Sequence, residues 1–221
     1  MMGNSLKACV CISNEIIMMM NNQPYKAVVF DVFGTLIEIQ NSQSPYKKMM
    51  KWLKQQGRKP QPNDAAMIMS LDGNFETLAS YFGYQLPSTL LEEMNNALQH
   101  DLKHMRAFDD SIPMLLELRK LGYKLAVCSN AATPYGERVQ HLLPPLDAYA
   151  WSFKVGANKP DPTIYRYFLN QLKCQPNEVL FIGDTQLADV DGPKKLGMSA
   201  QIIHRKNGES LLDVLQPFLK K

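Results

Sequence analysis

Oxygen-bearing side chains stand where three apolar runs of the sequence end. Asp31 closes the run AVVFD, Ser129 closes KLAVCS, and Asp184 follows directly after EVLFIG. Short apolar runs rich in β-branched residues are typical of strands that are buried on both faces. Because the carboxyl ends of parallel strands lie along one edge of a sheet, we expect these three side chains to converge there.

Further polar residues lie close to these positions in the sequence. Asp189 comes shortly after Asp184, Asn130 follows Ser129, and Lys159 stands before a proline-rich turn. Carboxylates gathered in one place repel each other unless a cation lies among them, and oxygen ligands of this kind suit Mg²⁺. A hydroxyl beside backbone N–H groups can hold a phosphate oxygen. Each residue alone has an ordinary explanation as a cap, a solvated turn or an exposed lysine, so the prediction depends on the set.

Buried strands that alternate with amphipathic helices predict the α/β class, with a Rossmann-like parallel sheet covered on both faces. Proline at the start of a helix and glycine at its end mark several of the helix boundaries. The predicted strands are 27–31, 124–129, a short one near 151–153, 178–183 and 199–203, and the predicted helices between them are 111–122, 161–172, 189–196 and 209–219.

A helical insertion is predicted after the first strand. Residues 40–106 are rich in Met, Leu, Gln, Asn and Lys, with no convincing strand, and proline-containing turns divide them, so the insertion is predicted over residues 39–106. Residues 25–38 and 107–221 are predicted to form the α/β core around this insertion. The helices predicted in the insertion are 45–56, 63–70, 74–82 and 88–104.

The composition is that of an ordinary globular protein. The chain has 221 residues, of which 45% are apolar and 20% charged, and its net charge is only +3. The small lysine cluster at Lys47, Lys48, Lys51 and Lys54 has helical spacing, so we interpret it as a solvated helix face and not as a nucleic-acid site. Small-molecule chemistry is therefore expected, and nothing in the sequence indicates the oligomeric state.

The lengths of the apolar runs and the pattern of cysteines bear on the cellular compartment of the protein. No run approaches the roughly 18 apolar residues that span a bilayer, so no membrane association is predicted. The four cysteines, Cys9, Cys11, Cys128 and Cys174, do not form a disulfide framework, and a reducing cytoplasm is expected. Residues 1–24 are predicted to be a disordered extension without a signal-peptide cleavage pattern, and the Met18–Met20 run suggests that translation begins there.

The order of the motifs resembles the haloacid dehalogenase superfamily of hydrolases. Asp31 with Gly-Thr-Leu, then Ser-Asn after the second strand, then Lys-Pro-Asp-Pro, then Gly-Asp-x₄-Asp span most of the chain. The resemblance implies that Asp31 is a nucleophile that attacks phosphorus or carbon. It also implies that Ser129 binds the transferred phosphoryl group, that Lys159 neutralises charge, and that residues 39–106 are a helical cap of the C1 type.

The resemblance also implies a Mg²⁺ site and contacts to a small phosphorylated substrate. The implied metal ligands are Asp31, the backbone carbonyl of Phe33, Asp184 and Asp189. The implied substrate-binding residues are Gly34, Thr35, Ser129 and Asn130.

Phe33 departs from the phosphatase pattern, in which a second aspartate at this position protonates the leaving oxygen and later activates water. Phenylalanine cannot transfer a proton, and acid–base assistance is worth roughly 10²–10⁴-fold. An activated leaving group such as an acyl phosphate would tolerate the missing acid, or a cap residue such as His100 or His104 would replace it. We therefore predict a Mg²⁺-dependent, phosphatase-type hydrolase.

Two other interpretations stay open. An aromatic residue at position 33 is also found in 2-haloacid dehalogenases, which use no metal and bind the substrate carboxylate with a cap arginine. Arg58 is the only arginine in residues 38–105, and it lies in a polar segment. The third interpretation is a catalytically weak member of the superfamily with a binding role.

Overall fold

A computed structural model describes residues 25–219, which form a parallel sheet with helices on both faces. The sheet has five strands in the order β5-β4-β1-β6-β7, all parallel. The strands in chain order are β1 (Ala27–Phe30), β2 (Ile37–Ile39), β3 (Met105–Ala107), β4 (Lys124–Ser129), β5 (Ala148–Trp151), β6 (Val179–Gly183) and β7 (Ser199–Ile202). The predicted α/β, Rossmann-like fold is confirmed.

The helices follow the strands as expected for such a sheet. The α-helices in chain order are α1 (Pro45–Gln55), α2 (Asp64–Ser70), α3 (Phe75–Tyr81), α4 (Ser88–Lys103), α5 (Ser111–Lys120), α6 (Thr133–Leu142), α7 (Ser152–Val155), α8 (Pro162–Leu172), α9 (Gly192–Lys195) and α10 (Leu211–Leu219). A π-helical turn, Gln186–Asp191, precedes α9, so the helix predicted near 189–196 is interrupted and begins earlier.

The central strand β1 is buried on both faces, since alternate residues point into two apolar clusters. Val28 and Phe30 belong to the cluster that contains Leu115 of α5. Val29 belongs to the opposite cluster, which contains Phe168 of α8. In register, Phe30, the last residue of β1, lies opposite Val127 of β4 and Ile182 of β6, so the three strands end within two residues of one another. This alignment brings the residues that follow them to the same edge.

The insertion between β2 and β3 has an apolar core of its own. Its centre consists of Met49 and Leu53 from α1, Leu78 from α3, and Met94 and Leu98 from α4. The helices lie where the sequence predicts them, to within one residue at each end. The division into a 39–106 cap and a core of 25–38 and 107–221 stays a prediction.

A short antiparallel ribbon closes the base of the insertion. Ile37 pairs with Ala107, Glu38 with Arg106 and Ile39 with Met105. The expectation that residues 40–106 hold no strand is therefore wrong at Met105 and Arg106, which belong to β3. The ribbon joins segments that lie far apart in the sequence, and a three-residue strand has too few side chains to show an alternating pattern.

The third core strand is also displaced from its predicted position. It was expected near 151–153, but β5 ends at Trp151, and α7 begins with Ser152. Trp151 pairs with Ser129, the last residue of β4, so the partner strand ends there as well.

Several expectations concern the surface and the termini. In residues 25–219, no helix combines the length and the apolar character needed to cross a membrane. Cys128 and Cys174 are buried, free cysteines, while Cys9, Cys11 and the predicted extension 1–24 lie outside the described residues. On α1, Lys47, Lys51 and Lys54 are exposed, as expected for a solvated face.

Candidate active site

Lys159 lies between two carboxylates at the carboxyl edge of the sheet. Its Nζ donates to Oδ1 of Asp31 at 2.7 Å and to Oδ1 of Asp189 at 2.6 Å. Asp31 follows β1, and Asp189 lies in the π-helical turn after β6. All three side chains are almost completely buried, with 3%, 8% and 1% exposure for Lys159, Asp31 and Asp189. The two carboxylates therefore offset the cost of burying one ammonium group.

Asn130 fixes the backbone of Lys159. The backbone N–H of Lys159 donates to Oδ1 of Asn130 at 2.7 Å, and Nδ2 of Asn130 donates to the carbonyl oxygen of Lys159 at 2.9 Å. Because Asn130 directly follows β4, this pair of bonds ties the lysine loop to the sheet edge. The substrate-binding role predicted for Asn130 stays a prediction.

The turn after Asp31 runs against Asp184. Gly34 has φ 79°, a left-handed conformation that side chains other than glycine rarely adopt. A Cβ atom at this position would collide with the carboxylate of Asp184. Glycine is thus required here both by the backbone angle and by the close approach of the acid.

Three carboxylates form one cluster at this edge. One ligand atom from each of Asp31, Asp184 and Asp189 lies within 4.8 Å of the others. The pKa of Asp184 is raised by burial and then by the negative charge of Asp31. Burial also raises the pKa of Asp189, although Lys159 opposes this shift. Burial alone would lower the pKa of Lys159, but Asp31 and Asp189 reverse the effect and raise it. The site therefore holds excess negative charge.

This donor set fits Mg²⁺. The ligand atoms are all carboxylate oxygens, which hard divalent cations prefer, and a single ammonium faces the three acids. Asp31 and Asp184 would hold the ion, and the backbone carbonyl of Phe33 lies in the same turn as Gly34. Asp189 already accepts from Lys159 and from the N–H of Thr185 at 2.9 Å, so it would have a supporting role and Asp31 and Asp184 would be the principal ligands.

The remaining predicted site residues lie nearby but differ in access. Ser129 is buried at the end of β4. Thr35 is completely buried, and its hydroxyl has no hydrogen-bond partner among the described residues. Phe33 is partly exposed and packs edge-on against Tyr135, with ring centroids 6.1 Å apart. The roles predicted for Ser129 and Thr35 stay predictions.

Two cavities meet at Phe33. The first, of about 580 Å³, lies between the helices of the insertion and the residues that follow Asp31 and Ser129. The second, of about 700 Å³, lies on the side of Asp184 and the 204–207 loop. Phe33 and Ile39 line both cavities. The two cavities thus approach the carboxyl edge of the sheet from two sides.

The two histidines considered as substitute acids do not line either cavity. The rings of His100 and His104 stack with centroids 4.1 Å apart at the end of α4. Nδ1 of His104 lies 2.8 Å from the carbonyl oxygen of His100. Their position does not support a role in proton transfer at Asp31.

Two supporting residues were not predicted from the sequence. Arg205 donates from Nε and Nη2 to the carbonyl oxygen of Thr35, at 2.9 and 2.8 Å, and so holds the turn after Asp31. Asp101, which is completely buried, accepts from the hydroxyl of Tyr135 at 2.8 Å and from Ser42 at 2.7 Å. Asp101 continues the helical spacing of Met94, Ala97 and Leu98 on the apolar face of α4, and an aspartate at such a position was the one signal that could have revealed it.

The strand order and the helices on both faces place the protein in the class of Rossmann-like α/β enzymes, with its acidic cluster where such sheets carry their sites. The sequence model of a family described as haloacid dehalogenase-like hydrolases matches residues 25–197. The chain belongs to this family.

Curated relatives include both phosphatases and dehalogenases. The chain is 31% identical to a glyceraldehyde 3-phosphate phosphatase of Methanopyrus kandleri over 48% of this chain and 48% of that protein. It is 28% identical to the protein of that name from Methanothermobacter thermautotrophicus, over 64% of this chain and 65% of that protein. It is 25% identical to (S)-2-haloacid dehalogenase 4A of Burkholderia cepacia over 82% of this chain and 84% of that protein. The chain therefore spans less than two thirds of both phosphatases.

Solved structures show the same fold. A HAD phosphatase from Thermococcus onnurineus aligns with a TM-score of 0.56 at 24% identity, covering 86% of this chain and 90% of that one. A HAD family enzyme from Bacteroides thetaiotaomicron, solved with magnesium and inorganic phosphate, aligns with a TM-score of 0.60 at 16% identity. The alignment covers 85% of this chain and 97% of that one.

The Lys159 ion pairs give a stability prediction. Replacing Lys159 with methionine should lower the free energy of unfolding by about 3–5 kcal/mol, since it leaves buried acids without their cation. The matched control is Lys154→Met, because Lys154 pairs with Asp72 at 2.7 Å where both side chains are about half exposed. That change should cost less than about 1 kcal/mol. Urea denaturation in EDTA measures the free energy of unfolding of both variants. Equal denaturation midpoints for the two variants would contradict the prediction.

Proposed function

We propose that the protein is a Mg²⁺-dependent phosphatase-type hydrolase that acts on a small phosphorylated molecule through an aspartyl-phosphate at Asp31. The observation that carries the proposal is the cluster at the sheet edge, in which Lys159 contacts Asp31 and Asp189 while Asp184 lies beside them. A phosphate ester is anionic, so a carboxylate can attack it only where the surroundings offset the charge. Lys159 and a bound cation serve that purpose.

In the first step, Asp31 attacks phosphorus, and the bond to the leaving oxygen breaks. Lys159 stays within hydrogen-bond distance of Asp31 and offsets charge on the carboxylate and the phosphoryl group. Ser129 donates its hydroxyl to a phosphoryl oxygen. Asp31 and Asp184 would hold Mg²⁺, which would supply further neutralisation of the phosphoryl oxygens. Water then hydrolyses the aspartyl-phosphate, which releases inorganic phosphate and restores Asp31.

Phe33 restricts the substrates of this reaction. It occupies the position from which an acid would protonate the leaving oxygen, so the leaving group must depart as an anion. Substrates with a good leaving group, such as acyl phosphates, should react far faster than alkyl phosphates. The acid–base assistance that alkyl phosphates would lack is worth roughly 10²–10⁴-fold in rate.

A 2-haloacid dehalogenase is the second candidate, which Phe33 favours because halide leaves without a proton. Two features of the structure weigh against it. Asp184 and Asp189 make an acidic cluster that a metal-independent reaction does not need. Arg58, the candidate for binding a substrate carboxylate, donates to both oxygens of Asp64, at 2.7 and 2.5 Å. A second carboxylate would have to displace this pair.

A panel of substrates tests the proposal directly. Purified protein is assayed with acetyl phosphate, p-nitrophenyl phosphate and 2-chloropropionate, each with Mg²⁺ and with EDTA. We expect phosphate release that requires Mg²⁺ and no halide release. Halide release in EDTA would establish the dehalogenase instead. No turnover of any substrate, together with retained binding of Mg²⁺ and phosphate, would indicate a binding protein.

A further inference from the structure

The first cavity presents apolar side chains beside Phe33 and Asn130, which lie in the segments that follow Asp31 and Ser129. Tyr46 and Met50 of α1 and Ile68 of α2 form its outer walls. Phe33 and Tyr135 close it on the side of the sheet. A space of about 580 Å³ is large enough for an organic group of one or two rings.

Aromatic rings form one side of this cavity. The ring of Tyr135 lies 6.1 Å from that of Phe33, in an edge-on arrangement, and 6.1 Å from that of Tyr46. The hydroxyl of Tyr135 donates to buried Asp101, so the polar end of this side chain is already engaged. The ring is what remains to contact a ligand. Aromatic faces and edges of this kind favour stacking with another ring.

The cavity lining supplies no protonated carboxylic acid. Asp64 is the acidic residue of the lining, and it accepts both guanidinium bonds of Arg58 and a bond from the N–H of Gln61 at 2.8 Å. The hydrogen bond from Arg58 lowers the pKa of Asp64 and keeps it ionised. Asp64 therefore cannot replace the acid that Phe33 lacks.

We propose that the first cavity holds the leaving group of the substrate and that this group is an aryl ring, so that the protein hydrolyses aryl phosphates. This inference rests on the proposed phosphatase function. The bond between phosphorus and the aryl oxygen breaks as Asp31 bonds to phosphorus. The phenolate departs with the electron pair and takes a proton from water afterwards.

The chemistry of the leaving group agrees with the shape of its site. A phenol such as the tyrosine side chain ionises near pH 10, whereas water, which resembles an alcohol, does so only near 15.7. A phenolate is therefore the better unprotonated leaving group. It is also planar and apolar, and so it suits the side of the cavity formed by the rings of Phe33, Tyr46 and Tyr135. Absence of an acid at Phe33 and the apolar cavity thus select the same class of substrate independently.

The second cavity suits a different role. Its lining includes Asp184, His204, Lys206 and Asn207, so it is more polar than the first cavity and adjoins the candidate metal ligand. Water and the released phosphate can pass through this side. A polar leaving group such as a sugar would find hydrogen bonds here, and preference for sugar phosphates would place the leaving group in this cavity instead.

The kinetic test compares leaving groups and fills the first cavity. We measure kcat/KM with Mg²⁺ for 1-naphthyl phosphate, acetyl phosphate and glycerol 3-phosphate. Ala65, an exposed residue of α2 that lines the cavity, is replaced by tryptophan. The ratio of kcat/KM for 1-naphthyl phosphate over acetyl phosphate should fall about tenfold, which is at the low end of what apolar pocket contacts discriminate. Gln99→Trp, on the exposed face of α4, should not change this ratio.

The outcomes separate this inference from the proposed function. If acetyl phosphate is hydrolysed with Mg²⁺ but Ala65→Trp leaves the ratio unchanged, or if glycerol 3-phosphate is preferred, the aryl inference is overturned and the phosphatase stands. If neither acetyl phosphate nor either phosphate ester is hydrolysed, the proposed function itself fails.

A binding measurement on the unmodified protein requires neither turnover nor a folded variant. Calorimetry with Mg²⁺ compares benzylphosphonate with methylphosphonate, which share the anionic group and differ in the ring. Binding at least about tenfold tighter for benzylphosphonate supports the inference, because burial of a ring favours an apolar pocket. Equal affinities would overturn it.

Discussion

Replacing Asp31 with asparagine is expected to abolish Mg²⁺-dependent phosphate release, with a loss in kcat on the order of 10⁴-fold or more. Asparagine cannot form the acyl phosphate, because its amide nitrogen removes the negative charge and the second carboxylate oxygen. It keeps an Oδ1 acceptor for Lys159, which also retains its bond to Asp189 at 2.6 Å. The fold should therefore survive the change. Initial rates with acetyl phosphate or 1-naphthyl phosphate measure the effect.

The control for this variant is Asp161→Asn. Asp161 accepts from the N–H of Thr163 at 2.8 Å at the start of α8 and is not one of the three acids of the cluster, and asparagine caps helices equally well. Trapping of the phosphorylated protein in acid, followed by peptide mass spectrometry, should locate phosphate on Asp31. Asp31→Asn protein that keeps a tenth of the rate, or phosphate found on another residue, would show that Asp31 is not the nucleophile.

The parallel sheet could be predicted because its strands are short, fully apolar runs separated by amphipathic helices. Val28, Val29 and Phe30 illustrate this, since burial on both faces removes any need for alternating polar residues. The ribbon of β2 and β3 could not be predicted in this way. Its pairs, such as Glu38 with Arg106, depend on how the insertion folds back, which no local pattern reveals.

The convergence of Asp31, Ser129 and Asp184 was expected from strand ends alone, and the structure places all three at the same edge. Side-chain direction was not available from the sequence. The bond between Lys159 and Asp189 depends on the π-helical turn, which turns that carboxylate inward. The hydrogen bonds to the carbonyl oxygen of Thr35 come from Arg205, which lies 170 residues later in the chain. The composition of the segment around Arg205 does not indicate this contact.

The insertion and the core are coupled close to Phe33. Asp101 of α4 accepts from Tyr135 of α6 and from Ser42, which lies between β2 and α1. Tyr135 in turn packs on Phe33. The same contacts that anchor the helical insertion therefore hold the ring of Tyr135 against Phe33, in the turn that follows Asp31. A polar network buried at this junction fixes one arrangement of the two parts.

Replacing Phe33 with aspartate should restore the missing acid and raise kcat/KM for glycerol 3-phosphate by roughly 10²–10⁴-fold. Aspartate is smaller than phenylalanine, and Phe33 borders both cavities, so the new carboxyl group has room to approach the leaving oxygen. Acetyl phosphate should gain much less, because its leaving group departs without a proton. The two substrates are compared in parallel over a range of pH.

Phe33→Asn is the matched control, since asparagine has nearly the same size and polarity as aspartate but has no proton to donate to the leaving group. Both variants lose the ring that packs on Tyr135, so any effect of the vacated space is common to them. A gain for aspartate alone would identify proton transfer as the missing function at this position. Equal gains for the two variants would mean that Phe33 limits alkyl phosphates by its bulk, and fast turnover of glycerol 3-phosphate by the unmodified protein would reveal another acid.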